Sequence, residues 1–119
     1  MNKNYVFVCA LLFLVCMMGM TINVMAHPPN AVTFEFDKDT KVLKLKIAHS
    51  VDDIENHYVK GIKIFIDDTL IVSQTFRKQP NNEYQEAIYL ILDASEGTIL
   101  RIEATCSRFG TLKRAITLK

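Results

Sequence analysis

The 119-residue chain has no tryptophan, only four glycines and almost no net charge. Fourteen Lys and Arg residues balance 13 Asp and Glu residues, which leaves a formal net charge of +1. Nucleic-acid-binding domains usually carry a clear basic excess, so no nucleic-acid partner is expected. No Gly-rich phosphate loop, CxxC pair or Walker-type motif occurs. The length supports one folded domain.

The scarce residue types are unevenly distributed along the chain. All five Met and two of the three Cys lie in residues 1–26, whereas all three His and all 13 acidic residues lie in residues 27–119. Cys106 is the one cysteine of the second segment. A single thiol cannot form a disulfide within that segment, so it is expected to be buried, paired with another molecule or bound to a metal.

Residues 1–26 have the composition of a secretory signal peptide. Lys3 is followed by an apolar run from Tyr5 to about Met20, and Ala26 ends the segment with a small residue. A basic start, an apolar centre and a small-residue cleavage site define such peptides. We therefore predict export to the periplasm or the exterior, with cleavage after Ala26. The alternative is retention as a single membrane anchor, which would be the protein's only contact with a membrane.

Residues 27–119 are predicted to form one all-β domain. Leu43, Leu45 and Ile47 alternate with Lys44 and Lys46, which is typical of an antiparallel strand with one buried face. Similar patterns separated by turn residues predict seven strands, at about 31–37, 41–48, 58–66, 69–76, 84–92, 98–105 and 112–118. Seven short strands in this length indicate an immunoglobulin-like seven-stranded antiparallel β-sandwich without its disulfide. A short helix near 51–56 is compatible with the pattern.

The strand order brings the histidines and the cysteine to one end of this predicted sandwich. His27 precedes the first strand, His49 follows the second, His57 precedes the third and Cys106 follows the sixth. Successive strands run in alternating directions, so all four residues belong to the same end. The opposite end has no His or Cys, and its turns contain Asp37, Asp39, Asp67, Asp68, Asp93 and Glu96.

Imidazole nitrogen and thiolate sulfur are ligands of iron, zinc and copper. Calcium and magnesium prefer oxygen and are not expected here. The spacing by itself does not pair the residues, since His49 and His57 are eight positions apart. The alternative interpretation is that the histidines are solvated loop residues and that Cys106 is a small buried hydrophobic residue.

Two segments resemble the desulfoferrodoxin and superoxide reductase family. The segment 49–62, HSVDDIENHYVKGI, is similar to the HP…HYIxxI segment of that family. The segment 104–110, ATCSRFG, is similar to its C-N-x-H-G segment, and His27 occupies about the place of the family's first histidine. The resemblance covers essentially all of residues 27–119.

The resemblance implies an iron site on an immunoglobulin-like sandwich. In the family, four equatorial histidines and one axial cysteine hold a mononuclear iron that reduces superoxide to hydrogen peroxide. Carried over to this chain, His27, His49 and His57 match three of the histidines, and Cys106 matches the axial thiolate. The implied partners are superoxide and an electron-donor protein. The fourth histidine falls at Phe109, which cannot bind a metal.

The missing ligand leaves three interpretations open. In the first, iron binds with the remaining ligands and keeps a redox activity. In the second, the site holds zinc or copper, and the free amine and the imidazole of a processed His27 form a copper chelate. In the third, the domain is a binding module without metal. The metal, the electron donor and the oligomeric state, a homodimer included, are left open by the sequence.

The family also carries a Glu-Lys pair before its first histidine, and its lysine attracts superoxide. In this chain residues 25 and 26 are Met and Ala. We expect another positive residue near the predicted site to replace that field, with these candidates: Arg77, Lys78, Arg108 and Lys113.

Overall fold

The computed structural model describes Lys3 and residues 27–119, and residues 27–119 form seven strands. The strands are β1 (Ala31–Asp37), β2 (Val42–Ala48), β3 (Val59–Ile66), β4 (Thr69–Thr75), β5 (Tyr84–Leu90), β6 (Ile99–Cys106) and β7 (Thr111–Thr117). Every predicted strand is found, with ends that differ by at most two residues. Residues 27–119 contain no helix, and the segment 51–56 forms turns.

The strands form two antiparallel sheets. The first has the order β1-β2-β5, and the second has the order β4-β3-β6-β7. Leu45 pairs with Phe34 on one side and with Ala87 on the other, and Ile64 pairs with Ile102 across the centre of the second sheet. Buried side chains from both sheets form one hydrophobic cluster. The coarse prediction, an all-β domain of seven antiparallel strands, is confirmed.

Alternation along the central strands explains this shared core. Leu43, Leu45 and Ile47 of β2 are buried, whereas Lys44 and Lys46 between them are exposed. Side chains of a strand point alternately to its two faces, so one face of β2 is apolar and the other is charged. In β6 the same rule buries every second residue, and the buried set is Leu100, Ile102, Ala104 and Cys106.

A bulge interrupts the alternation at the start of β3. Val59 and Ile62 are both fully buried although they are three positions apart. The pairing of β3 with β6 shifts between Val59 and Gly61, and the extra residue reverses the facing of the side chains. The N–H of Val59 donates to the side chain of Gln79 over 3.2 Å.

The β1–β2, β3–β4 and β5–β6 turns lie at the end of the domain opposite to His49. Lys38 forms an exposed ion pair with Glu96 at 3.7 Å, and Lys41 donates to the carbonyl of Ala94 over 2.9 Å. These contacts join the β1–β2 turn to the β5–β6 loop. Exposed ion pairs of this kind contribute little to stability.

The predicted signal peptide, residues 1–26, lies outside the described residues except for Lys3. Over the part of the chain that the structure describes, no helix has both the length and the apolar character needed to cross a membrane.

Candidate metal centre

Three candidate ligands continue the inward-facing pattern of three different strands. His49 lies two positions after the buried Ile47, and His57 lies two positions before the buried Val59. Cys106 ends the buried series of β6. Because β2 belongs to one sheet and β3 and β6 belong to the other, the three side chains meet in the space between the sheets at one end of the domain.

The three side chains are buried and close together. His49, His57 and Cys106 are exposed by 0%, 6% and 2%, and one imidazole nitrogen of each histidine and the Cys106 sulfur all lie within 4.8 Å of one another. Ligand atoms around a tetrahedral zinc are about 3.3–3.6 Å apart, given metal–nitrogen and metal–sulfur bonds of about 2.0–2.3 Å. Small side-chain rotations would therefore bring these atoms to one ion.

His27 lies beside this group without belonging to its closest set of atoms. Its ring centroid is 5.2 Å from that of His49 and 5.5 Å from that of His57. Its Nδ1 lies 3.1 Å from the carbonyl oxygen of Pro28. The four residues that the strand directions assign to one end are thus found together there.

A close contact with the β6–β7 loop holds the segment after His27. Gly110 has a φ of 86°, and a Cβ added there would lie 2.9 Å from the Cβ of Pro28. The left-handed conformation and the close approach both favour glycine. Gly110 thereby allows Pro28, the residue after His27, to lie against the loop that follows Cys106.

His57 presents a nitrogen that has no partner in the described part of the chain. Its backbone N–H donates to the carbonyl of Asp53 over 2.8 Å, which closes the turn before β3. Its ring Nε2 is buried, and no hydrogen-bond partner for it is found among the described residues. Burial first, and then the nearby His49 and Arg108, lowers the pKa of His57. The low pKa favours the neutral imidazole, which is the form that binds metals.

The Cys106 sulfur sits in a tight loop. The N–H of Cys106 donates to the carbonyl of Gly110 over 2.9 Å, and the N–H of Arg108 donates to the Cys106 sulfur over 3.4 Å. Ser107 and Tyr58 bond to each other twice, through Ser107 N–H to the Tyr58 carbonyl and Tyr58 N–H to the Ser107 hydroxyl. An N–H directed at a sulfur stabilises a thiolate and tunes a metal bound to it.

Gln79 supports the centre, although sequence reasoning did not identify it. Its side chain is fully buried and makes four hydrogen-bond contacts. Oε1 accepts from the N–H of Val59 and lies 2.9 Å from His49 Nδ1, while Nε2 donates to the carbonyls of His49 and Asn81 over 2.8 and 3.0 Å. Gln79 is 30 positions from His49, and no local pattern marks it as a partner.

Of the four positive residues expected near the site, Arg108 has the best position. Its side-chain Nε donates to the carbonyl of Asn56 over 3.1 Å, and its charge lowers the pKa of His57. Lys113 lies within β7 and pairs with Glu103 at 3.7 Å. Neither Arg77 nor Lys78 makes a hydrogen bond or ion pair with another described side chain.

Phe109 lies in the same loop and is 66% exposed. Its ring has no atom that could bind a metal, and its exposure shows that it does not pack into the core.

The donor set fits a transition metal. Two imidazoles, a thiol and a third imidazole nearby are soft or borderline ligands, suited to iron, zinc or copper. The Nε2 of His57 is buried without a partner among the described residues, as a nitrogen that binds a metal would be in the metal-free protein. Such unpaired buried atoms are costly and therefore rare in folded proteins. The residues present thus could bind a metal.

Comparisons with family models, with curated proteins and with solved structures find no match to this chain.

Proposed function

We propose that this chain is an exported mononuclear iron protein that transfers an electron to superoxide. His49, His57 and Cys106 would hold the metal, and His27 would be a further ligand. When bound, ferrous iron supplies one electron to superoxide, which takes up two protons and becomes hydrogen peroxide. A reductant of the electron-transfer protein class would then return the ferric ion to the ferrous state.

The observation that carries the proposal is the convergence of two buried imidazoles and a buried thiol within 4.8 Å. Burial of a polar atom costs free energy unless the atom has a partner, and the buried Nε2 of His57 has none among the described residues. The backbone N–H of Arg108 donates to the Cys106 sulfur over 3.4 Å, and this hydrogen bond would favour the thiolate that a metal requires.

Two further features support the proposed family relationship. The strand order β1-β2-β5 and β4-β3-β6-β7 is compatible with an immunoglobulin-like sandwich. The segments that resemble superoxide reductases, 49–62 and 104–110, supply the clustered residues.

Arg108 would supply the positive field that attracts an anionic substrate to this end of the domain.

The proposal is tested by metal content and superoxide reduction. The chain beginning at His27 is expected to bind one iron per molecule and to consume superoxide with formation of peroxide. Arg108→Ala should slow the reaction and weaken its dependence on salt, whereas Lys113→Ala, which removes a charge already paired with Glu103, should change neither. Protein without metal, whose thermal stability does not change on metal addition, would identify a binding module instead.

A copper centre is the second candidate, because the closest set of atoms is two imidazoles and one thiol. Two nitrogens and a thiolate in a plane with a weak axial oxygen or sulfur describe copper electron-transfer sites. The sequence after residue 26 has no Met, but the backbone carbonyl oxygen of His27 lies 3.2 Å from His49 Nε2. An intense visible thiolate-to-copper absorption, together with no turnover of superoxide by the iron form, would favour copper.

A further inference from the structure

We infer that Gln79 fixes the proton of the His49 imidazole on Nδ1 and thereby makes Nε2 the metal-binding atom of that residue. The inference deepens the proposed function and rests on it only for the metal. It concerns a positioning residue, since Gln79 acts through His49.

The orientation of the Gln79 amide is set by three backbone groups. Its Nε2 donates to the carbonyls of His49 and Asn81 over 2.8 and 3.0 Å, and its Oε1 accepts from the N–H of Val59 over 3.2 Å. A flipped amide would direct its NH₂ group at an N–H and its oxygen at two carbonyls. Three mismatches in a fully buried position would be costly, so only the observed orientation is compatible with the surroundings.

This orientation directs an acceptor at His49. The Oε1 of Gln79 is 2.9 Å from His49 Nδ1, so Nδ1 must be the donor in this contact. A neutral imidazole carries one N–H, and its other nitrogen is then a bare acceptor. His49 Nε2 lies 3.2 Å from the carbonyl oxygen of His27, which is also an acceptor.

Two acceptors therefore compete for the single proton of His49. The Gln79 contact is the shorter of the two, and its acceptor is held by three other hydrogen bonds inside the core. With the proton on Nδ1, the lone pairs of Nε2 and of the His27 oxygen face each other without a proton between them. A cation placed there would interact favourably with both atoms.

Metal-binding histidines commonly donate their other N–H to a fixed acceptor, and the loss of such an acceptor typically lowers metal affinity by about 10- to 100-fold. Without the Gln79 oxygen, the proton would move to Nε2 and bond to the His27 carbonyl. That proton would block the atom needed by the metal. Gln79 thus acts on metal binding through a proton position as well as through packing.

The test compares two substitutions that differ in the acceptor. Gln79→Met removes all polar atoms, whereas Gln79→Glu keeps an acceptor for His49 and loses donors to the backbone carbonyls. Gln85→Met is a matched control, because Gln85 is also buried but lies in β5 and donates only to the carbonyl of Glu86. The readouts are ¹⁵N NMR of the His49 ring in metal-free protein at about pH 8, where an ordinary histidine is neutral, and Zn²⁺ affinity by chelator competition.

The proton is expected on Nδ1 in the wild type and in Gln79→Glu, and on Nε2 in Gln79→Met. Zn²⁺ affinity should fall by about 10- to 100-fold in Gln79→Met, and it should stay at or above the wild-type value in Gln79→Glu even though that variant melts at a lower temperature. Gln85→Met should change neither readout.

A wild-type ring with its proton on Nε2, or with protons on both nitrogens, would overturn the inference without any variant being needed. Equal losses of affinity in the two Gln79 variants, with the proton unmoved, would also overturn it and would leave the metal centre intact. A proton on Nδ1 that moves in Gln79→Met, in a protein that binds no metal, would support the inference and contradict the proposed function.

Discussion

Replacement of His57 by leucine should stabilise the metal-free protein while abolishing metal binding. His57 is 6% exposed, and its Nε2 is buried with no partner among the described residues. An unsatisfied buried polar atom costs about 1–3 kcal/mol. Leucine removes that cost, and the backbone N–H of residue 57 still bonds to the Asp53 carbonyl.

The gain is reduced by the lost ring contacts. His57 packs edge-to-face against His49 at a centroid distance of 4.8 Å, and aromatic pairs of this geometry contribute about 0.5–1.5 kcal/mol. The net effect of His57→Leu on the free energy of unfolding is therefore a gain of about 1 kcal/mol. In a domain of this size that gain raises the melting temperature by about 4–8 °C.

Metal should reverse the order of stability. At a free metal concentration of 100 times Kd, binding stabilises the wild type by about 2.7 kcal/mol, and His57→Leu should gain nothing. The wild type would then be the more stable protein by about 1.7 kcal/mol. The assay is thermal unfolding followed by circular dichroism, with chelator or with ferrous iron under anaerobic conditions.

Gln85→Leu is the control for this reversal. Gln85 Oε1 is also buried without a partner among the described residues, but β5 places it outside the cluster. Gln85→Leu should be stabilised in chelator and should keep the full response to metal. A lower melting temperature for metal-free His57→Leu, or a metal response equal to that of the wild type, would refute the reasoning.

Three further predictions concern single residues. Gly110→Ala should lose about 1–3 kcal/mol of stability through its positive φ and should also weaken metal binding by displacing Pro28. Gly97 has the same φ of 86° but open space around it, so Gly97→Ala should lose stability alone. Melting curves measure the loss of stability, and metal titration measures the loss of binding. Tyr89→Phe removes a buried hydroxyl that has no partner among the described residues, and burial raises the pKa of Tyr89 to about 12. The variant should therefore unfold in urea with unchanged or higher stability. A clear loss of stability would contradict the absence of a partner. Hydrogen bonds, first from the Asn56 side chain, hold the pKa of the Asp53 carboxyl below its usual value of 3.8. The stabilisation by Asp53 should therefore be complete above about pH 4 and should fade as the pH falls through the lowered pKa. A difference in stability between wild type and Asp53→Ala that stays constant down to about pH 2 would contradict this prediction.

The strands could be predicted because they follow from local alternation, and the shared end of the four residues could be predicted because it follows from the strand directions. The series 43, 45 and 47 continues in phase to His49, and the series 100, 102 and 104 continues to Cys106. Strand direction then brings these ends together. Neither alternation nor strand direction requires knowledge of distant contacts, so both can be inferred from the sequence.

The support of the cluster could not be predicted, since it depends on contacts between distant segments. Gln79 is an ordinary polar loop residue in the sequence, and only the fold places its amide against His49. The bulge after Val59 and the close approach of Gly110 to Pro28 likewise depend on the pairing of β3 with β6 and on the path of residues 27–30. Neither is encoded in a short pattern.

X-ray absorption spectroscopy of the iron-loaded protein tests the central claim most directly, because it identifies the atoms bound to the metal. We predict one sulfur at about 2.3 Å and at least two imidazole nitrogens at about 2.0–2.2 Å from the metal, distances typical of such ligands. The sulfur contribution should disappear in Cys106→Ser. A spectrum with oxygen and nitrogen neighbours alone in the wild type, identical to that of Cys106→Ser, would contradict a centre built on His49, His57 and Cys106.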